Sequence, residues 1–275
     1  MIPAPFDYVR AESLEHAWRT LADRGEDAKL LAGGQSLLPL MKLRLARPAV
    51  LVDVGRVEGL SYVRKDGDEI AIGALTRHRD LEVDPLVAAE APIVGRAASL
   101  VGDPQVRHRG TIGGSLSHGD PASDLPAAVL ALDGTLVVTG PGGTRQVAAT
   151  DFFTGFLQTA LGPGEVLTEV RVPAAPGGGW SYQKFNRRAQ DWAIVGCAAT
   201  VSGGRARIAL VNMGPTTLRA RAVEEALASG SPVAEAALLA AEGTEPPSDV
   251  AASAAYRAHL ARVLVRRALE EAGAR

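Results

Sequence analysis

The chain has 275 residues, 29 basic and 31 acidic side chains, a net charge of −2 and 47% hydrophobic residues. This is the balance of an ordinary globular protein, and it offers no basic surface that would mark nucleic acid or an anionic membrane as partner. A single cysteine, Cys197, excludes an internal disulfide framework and any cysteine-held metal cluster, and points to the reducing cytoplasm.

At this length a core tends to divide, so at least one internal boundary is expected. The opening MIPAPFDYVRAESLEHAWRT lacks the basic start and apolar centre of a secretory signal, and no apolar run approaches the roughly 20 residues of a membrane span. From Ala11 to Arg24, the residues Leu14, Ala17, Trp18 and Leu21 share one helical face, with Ser13 placed to cap its start. AKLLAGG and AVLVDVG are short apolar runs stopped by glycine and read as buried strands, and SLLPLMKLRLARP between them reads as an irregular or briefly helical crossover.

SYVRKDGDEIAIGALT predicts a hairpin around its DGDE turn, and residues 80 to 102 predict helix on both sides of Pro92. The following stretch carries glycine at 102, 110, 113, 114 and 119, a density that argues against a core helix. GTLVVTG and EVLTEVRVP are strands, and APGGGW at 175–180 is the best linker. AIVGCAATVSGGRARIALVNMG then predicts two strands joined at Gly203 and Gly204. LRARAVEEALASG and YRAHLARVLVRRALEEA predict helices, the second with Tyr256, Leu260, Val263, Leu264 and Leu269 facing inward. The sum is two α+β units meeting near residue 176.

Two segments share a design. Gly33, Gly34, Gln35 and Ser36, and then Thr111, Ile112, Gly113, Gly114 and Ser115, each set a glycine pair beside small polar residues within apolar flanks. Backbone N–H groups in such turns form nests for anions, and glycine removes the Cβ that would hold a phosphate away. Neither segment is a GxGxxG or a GxxxxGK[ST] fingerprint, and either alone is equally a tight turn. Asp124 follows the second segment as a ligand-facing carboxylate or as the N-cap of LPAAVLAL. Lys184, Arg187 and Arg188 are either cations beside a reduced ring system or a solvated loop. His16, His78, His118 and His259 lack metal-ligand spacing and read as surface or second-shell residues.

The blocks AGGQSLLPLMKLRLARP, RGTIGGSLSHGDPASDLPA and YQKFNRRAQDWAIVGCA, in this order, closely resemble the FAD-binding medium subunit of the molybdenum hydroxylases, of the carbon monoxide dehydrogenase type. The resemblance covers essentially the whole chain. It implies an α+β fold: a two-part FAD-binding domain of the vanillyl-alcohol oxidase (PCMH) type over residues 1–176, with parts of about 1–57 and 58–176. A small C-terminal domain with an antiparallel sheet would follow over 177–275. It implies FAD held by Ala32, Gly33, Gly34, Gln35, Ser36 and Leu37 and by Thr111, Ile112, Gly113, Gly114 and Ser115 through backbone amides and hydroxyls. Asp124, Leu167 and Lys184 would lie at the flavin, and Trp192 beside the isoalloxazine. It also implies a molybdenum-cofactor large subunit and a [2Fe-2S] small subunit as partners, assembled as a dimer of heterotrimers with an external electron acceptor. Gln35 stands where some relatives have histidine and His108 where asparagine is frequent; neither exchange disturbs the expectation of FAD.

On this reading no residue of the chain is a general base, nucleophile or metal ligand. Glycine-loop variants should abolish FAD binding, and Lys184→Ala should change flavin affinity or potential without unfolding. Two readings stand beside it: a self-contained flavin oxidoreductase of the same fold, and a scaffold that has lost its flavin.

Overall fold

The computed structural model describes residues 2–175 and 177–274. At the N-terminal end three parallel strands pair in the order Asp7–Arg10, Val50–Asp53, Ala28–Leu31. Val50, Leu51 and Val52 are buried, as the central strand of a covered parallel sheet requires. The helix Leu14–Arg24 packs on this sheet. Ser13 caps it by accepting from the N–H of His16, and Gly25 ends it at φ 54°. The crossover holds one short helix, Leu37–Lys42.

The next layer is an antiparallel five-stranded sheet in the order Val63–Asp66, Glu69–Gly73, Val166–Pro173, Thr135–Gly140, Gly143–Ala148. Its first two strands are the expected hairpin, turned at Gly67 with φ 61°. Three helices fill 78–99. Those at Pro85–Glu90 and Pro92–Ser99 each open on a proline, where a missing N–H costs nothing.

The glycine-rich stretch differs from expectation. Residues Ile112–His118 form a helix, with Gly113 fully buried inside it. A Cβ on Gly113 would lie 2.5 Å from the Ala74 Cβ, so the helix needs a bare backbone where it crosses that strand end. Close packing outweighs the roughly 1 kcal/mol that glycine costs a helix.

The helix Asp124–Ala131 is buried along its whole length, which matches its apolar composition on every side. One side meets the helix Pro92–Ser99, and another meets a second antiparallel sheet ordered Gly179–Phe185, Val195–Ser202, Arg205–Val211, Leu218–Arg219. This sheet is covered on both faces. Ala198, Ala209 and Val211 join the core around Leu125 and Val129, while Cys197, Ala199, Ile208 and Leu210 join a core closed by the helix Ala254–Glu271. Full burial pushes the Cys197 thiol upward, which fits an inert packing residue.

The boundary expected near residue 176 falls on Pro176, outside the described residues. The linker is shorter than APGGGW suggested, because the strand already begins at Gly179. A Cβ there would strike the carbonyl of Ala272, so close approach of the last helix fixes this glycine. In that helix Leu260, Leu264 and Leu269 are buried as expected, but Tyr256 is exposed and Val263 only half-buried, while Arg257, Ala261, Val265 and Ala268 also turn inward. Arg257 is paired there through its two terminal nitrogens, with Asp249 at 2.7 Å and with the carbonyl of Ile194, while its Nε is buried without a partner among the described residues; helical periodicity does not reveal these partners. Among the described residues no helix is long and apolar enough to cross a membrane.

Candidate functional site

The first glycine segment leaves the strand Ala28–Leu31 and enters the helix Leu37–Lys42. Gly34 takes φ 75°, and the Gln35 side chain folds back to donate to the carbonyl of Gly33 at 3.1 Å. None of the N–H groups of Gly33, Gly34, Gln35 and Ser36 has an acceptor among the described residues. Four consecutive free donors beside a left-handed glycine are the elements from which an anion nest is built. These amides lie at the surface, half-buried or exposed, so an incoming ligand can reach them.

The second segment is built differently. Thr111 is the N-cap of its helix, its Oγ1 accepting from Gly114 N at 3.1 Å. The N–H of Ile112 goes to Thr76 O at 3.0 Å, that of Gly113 to Ala74 O at 2.8 Å, and that of Ser115 to Thr111 O at 3.0 Å. Four of its five amides are therefore spent internally, and only the Thr111 N–H has no acceptor among the described residues, so backbone donors are fewer here than the expectation for both segments. It contributes a bare glycine face and the hydroxyl of Ser115. Thr111→Ala should cost about 1 kcal/mol of stability, and Thr111→Ser should restore it; equal urea midpoints for all three proteins would remove the capping role.

The two segments do come together. A Cβ on Gly33 would lie 2.7 Å from the Gly110 Cα and against the Arg109 carbonyl. A Cβ on Gly114 would lie 4.0 Å from the Ala32 Cβ. Leu167 belongs to the core of the five-stranded sheet. The strand reaches the second segment through Ala74, whose N–H bonds to Thr168 O and whose carbonyl receives Gly113.

Asp124 and Lys184 form a separate cluster. Lys184 lies on the strand Gly179–Phe185, not on a solvated loop, and Asp124 is the first helical residue while Ser123 holds the cap position. Lys184 Nζ donates to Asp124 Oδ2 at 2.7 Å and to the carbonyl of Leu100 at 3.0 Å, with both side chains only 4% exposed. The Tyr182 hydroxyl bonds Asp124 Oδ1 at 3.0 Å. Burial pushes the Asp124 carboxyl upward, while Lys184 and Tyr182 pull it down; Tyr182 itself is raised, by burial first and Asp124 second. Trp192, by contrast, is 71% exposed, in a loop with Arg187 and Arg188. That loop rests on the N-terminal half where Gln190 meets Gly102.

The histidines also needed the structure. His78 is buried rather than at the surface, and burial together with the Arg107 charge lowers its pKa from 6.5 to about 4. The unfolded chain therefore binds a proton that the folded chain refuses between those values. Stability from this group is complete above about pH 6.5 and falls by about 3 kcal/mol as the pH drops to about 4. A His78→Gln variant should show a shallower acid loss in urea titrations at pH 7 and pH 4.5; an unchanged slope would mean the ring is protonated in the native state.

Sequence reading assigned His78 no particular role, counted Gly110 only among the glycines of its stretch, and did not single out Tyr182. Gly110 carried a faint signal in its place before TIGGS; the other two carried none that distinguishes them from core residues.

Comparison with known proteins fits this arrangement. The family described as FAD binding domain in molybdopterin dehydrogenase matches residues 4–175, and CO dehydrogenase flavoprotein C-terminal domain matches 180–272. The carbon monoxide dehydrogenase medium chain of Hydrogenophaga pseudoflava is 44% identical over 100% of this chain and 99% of that protein. The 6-hydroxypseudooxynicotine dehydrogenase complex subunit alpha of Paenarthrobacter nicotinovorans is 43% identical over 99% and 96%. Among solved structures, a carbon monoxide dehydrogenase chain from Hydrogenophaga pseudoflava superposes with TM-score 0.95 at 46% identity, over 99% of this chain and 98% of that one. Quinoline 2-oxidoreductase from Pseudomonas putida 86 gives 0.91 at 37%, over 99% and 98%. The chain belongs to the FAD-binding medium-subunit family of the molybdenum hydroxylases; its cofactor is FAD and it is an oxidoreductase subunit.

Proposed function

We propose that this chain is the electron outlet of a three-subunit molybdenum hydroxylase working in the cytoplasm. Electrons would arrive from a [2Fe-2S] subunit, fed by a molybdenum subunit that oxidises the substrate, and leave to an external acceptor. Bound FAD supplies the redox chemistry. The chain's own residues bind and orient it, and none is required as acid, base or nucleophile. Residues 1–176 form the FAD-binding part on this reading, and 177–275 close over it. The assembly is a dimer of heterotrimers.

The observation that carries the reading is the run of free N–H groups from Gly33 to Ser36, backed by the Arg109–Gly110 backbone. A pyrophosphate satisfies such donors, with Ala32 and Leu37 anchoring the segment on either side. Across from it Thr111, Ile112, Gly113 and Gly114 give a surface without bulk, and Ser115 adds a hydroxyl. Leu167 supports the ring side from the core. Asp124 and Lys184 act through their buried pair, which seats the C-terminal sheet, and Trp192 covers the ring from its exposed loop.

The test is a ligand series. FAD added to the flavin-free chain should quench its flavin fluorescence at one equivalent, ADP should compete, and riboflavin, lacking phosphate, should bind at least about 100-fold more weakly. Riboflavin binding as tightly as FAD would remove the pyrophosphate from the nest.

A further inference from the structure

His78 is the first residue of the helix His78–Val83, 5% exposed, and its Nδ1 is buried without a hydrogen-bond partner among the described residues. A buried polar atom left unpaired in this way has a cost, and something must hold the ring there. Its neighbours show what. The His78 N–H donates to Gly110 O at 3.0 Å, and Arg77 bridges Thr111 while its Nη1 donates to the carbonyl of His108. A Cβ on Gly110 would lie 2.7 Å from His78 Cδ2 and 2.8 Å from Nε2. On the other side, a Cβ on Gly33 would lie 2.7 Å from the Gly110 Cα. Three layers are thus stacked with no spare methyl between them: the imidazole, the Gly110 backbone and the Gly33 backbone.

We propose that His78 is a positioning residue of the dinucleotide cradle, its ring seated under Gly110 and setting the spacing between the two glycine segments. It does not touch the cofactor. It acts by holding Gly110 against Gly33, and through Gly33 it fixes the free amides of the nest. The ring makes no hydrogen bond to the protein through Nδ1, so its contribution is shape, and it stays neutral beside Arg107 over the physiological range.

This inference rests on the FAD reading of the glycine segments, and the test separates the two. Three variants of the full chain are compared: His78→Ala, Gly110→Ala and the double substitution. Gly110 does not take a positive φ, so alanine is resisted there chiefly by the ring, with the carbonyl of Val106 next at 3.1 Å. Each single variant should weaken FAD by about tenfold or more at a temperature well below its unfolding midpoint. The double variant should bind more tightly than either, because the new methyl occupies space the imidazole leaves. Hydrogen exchange of residues 108–115 without flavin should follow the same pattern, faster in each single variant and slowed again in the double. A lowered melting temperature with unchanged FAD affinity would reduce His78 to a packing residue, and additive losses in the double variant would overturn the stack. If the unaltered chain takes up no FAD, the cofactor reading fails, while the exchange pattern still decides whether His78 spaces the segments.

Discussion

Lys184→Met should destabilise the protein by about 3–5 kcal/mol, the loss expected when one partner of a buried ion pair is removed. The ammonium lies 2.7 Å from Asp124 Oδ2, and its second bond, to Leu100 O, would go with it. Methionine fills most of the volume, so the cost is electrostatic: a carboxylate out of water with only the Tyr182 hydroxyl left as donor. Burial already pushes the Asp124 carboxyl upward against the pull of the lysine, and removing the lysine shifts it further toward the neutral form, which limits the loss. The double variant Asp124→Asn with Lys184→Met should recover most of the stability, since no buried charge remains. Urea unfolding of the three variants measures this, and a single-variant loss below about 1 kcal/mol would mean water reaches the pair. The structure thereby revises the expectation that removing Lys184 changes the flavin alone, because the residue ties the helix Asp124–Ala131 to the C-terminal sheet.

Much of this was legible in advance, for identifiable reasons. Strands such as Val50–Asp53 and Val195–Ser202 announce themselves as short apolar runs ended by glycine, and Ser13 caps the first helix as its side chain predicts. The first glycine segment was legible too, because free amides next to a positive-φ glycine follow from local chemistry. Partnership across the chain was not. Nothing near Lys184 says that Leu100 and Asp124 face it, and nothing near His78 says that Gly110 closes over it, so the sequence left Lys184 between a cation at the flavin and a solvated loop, and His78 between the surface and a place behind the site. The helix at Ile112–His118 was missed for the same reason. Glycine lowers helix propensity locally, and the gain that reverses this is contact with Ala74, nearly forty residues away in sequence. The last helix shows the complement: Leu260, Leu264 and Leu269 face inward as their spacing predicts, but its first turn was misjudged because a paired arginine, Arg257, is buried there in place of Tyr256.

Gly33→Ala is expected to weaken FAD binding by about 10- to 100-fold, with Gly33→Val lost beyond measurement. Three glycines of the cradle, Gly33, Gly34 and Gly114, are not equivalent. At Gly33 the added carbon meets the backbone of Arg109 and Gly110, which the His78 stack holds in place and which cannot rotate away. At Gly34 it meets the Leu38 side chain at 2.9 Å and Leu31 at 3.2 Å, and a φ of 75° adds strain. At Gly114 the nearest atom is Thr111 Oγ1 at 2.9 Å, a hydroxyl that can turn at the cost of its cap. Substitution by valine should therefore hurt in the order Gly33, Gly34, Gly114. Gly142→Ala supplies the control, since a Cβ there meets nothing within 4 Å and no positive φ is needed. Fluorescence titration gives the affinities, and circular dichroism checks that the fold survives. A Gly33→Ala chain that binds FAD like Gly142→Ala would show that the Gly33–Gly110 contact does not shape the nest. Loss at Gly114 exceeding loss at Gly33 would move the phosphate-holding role to the second segment, whose amides would then have to break from Ala74 and Thr76 to meet it.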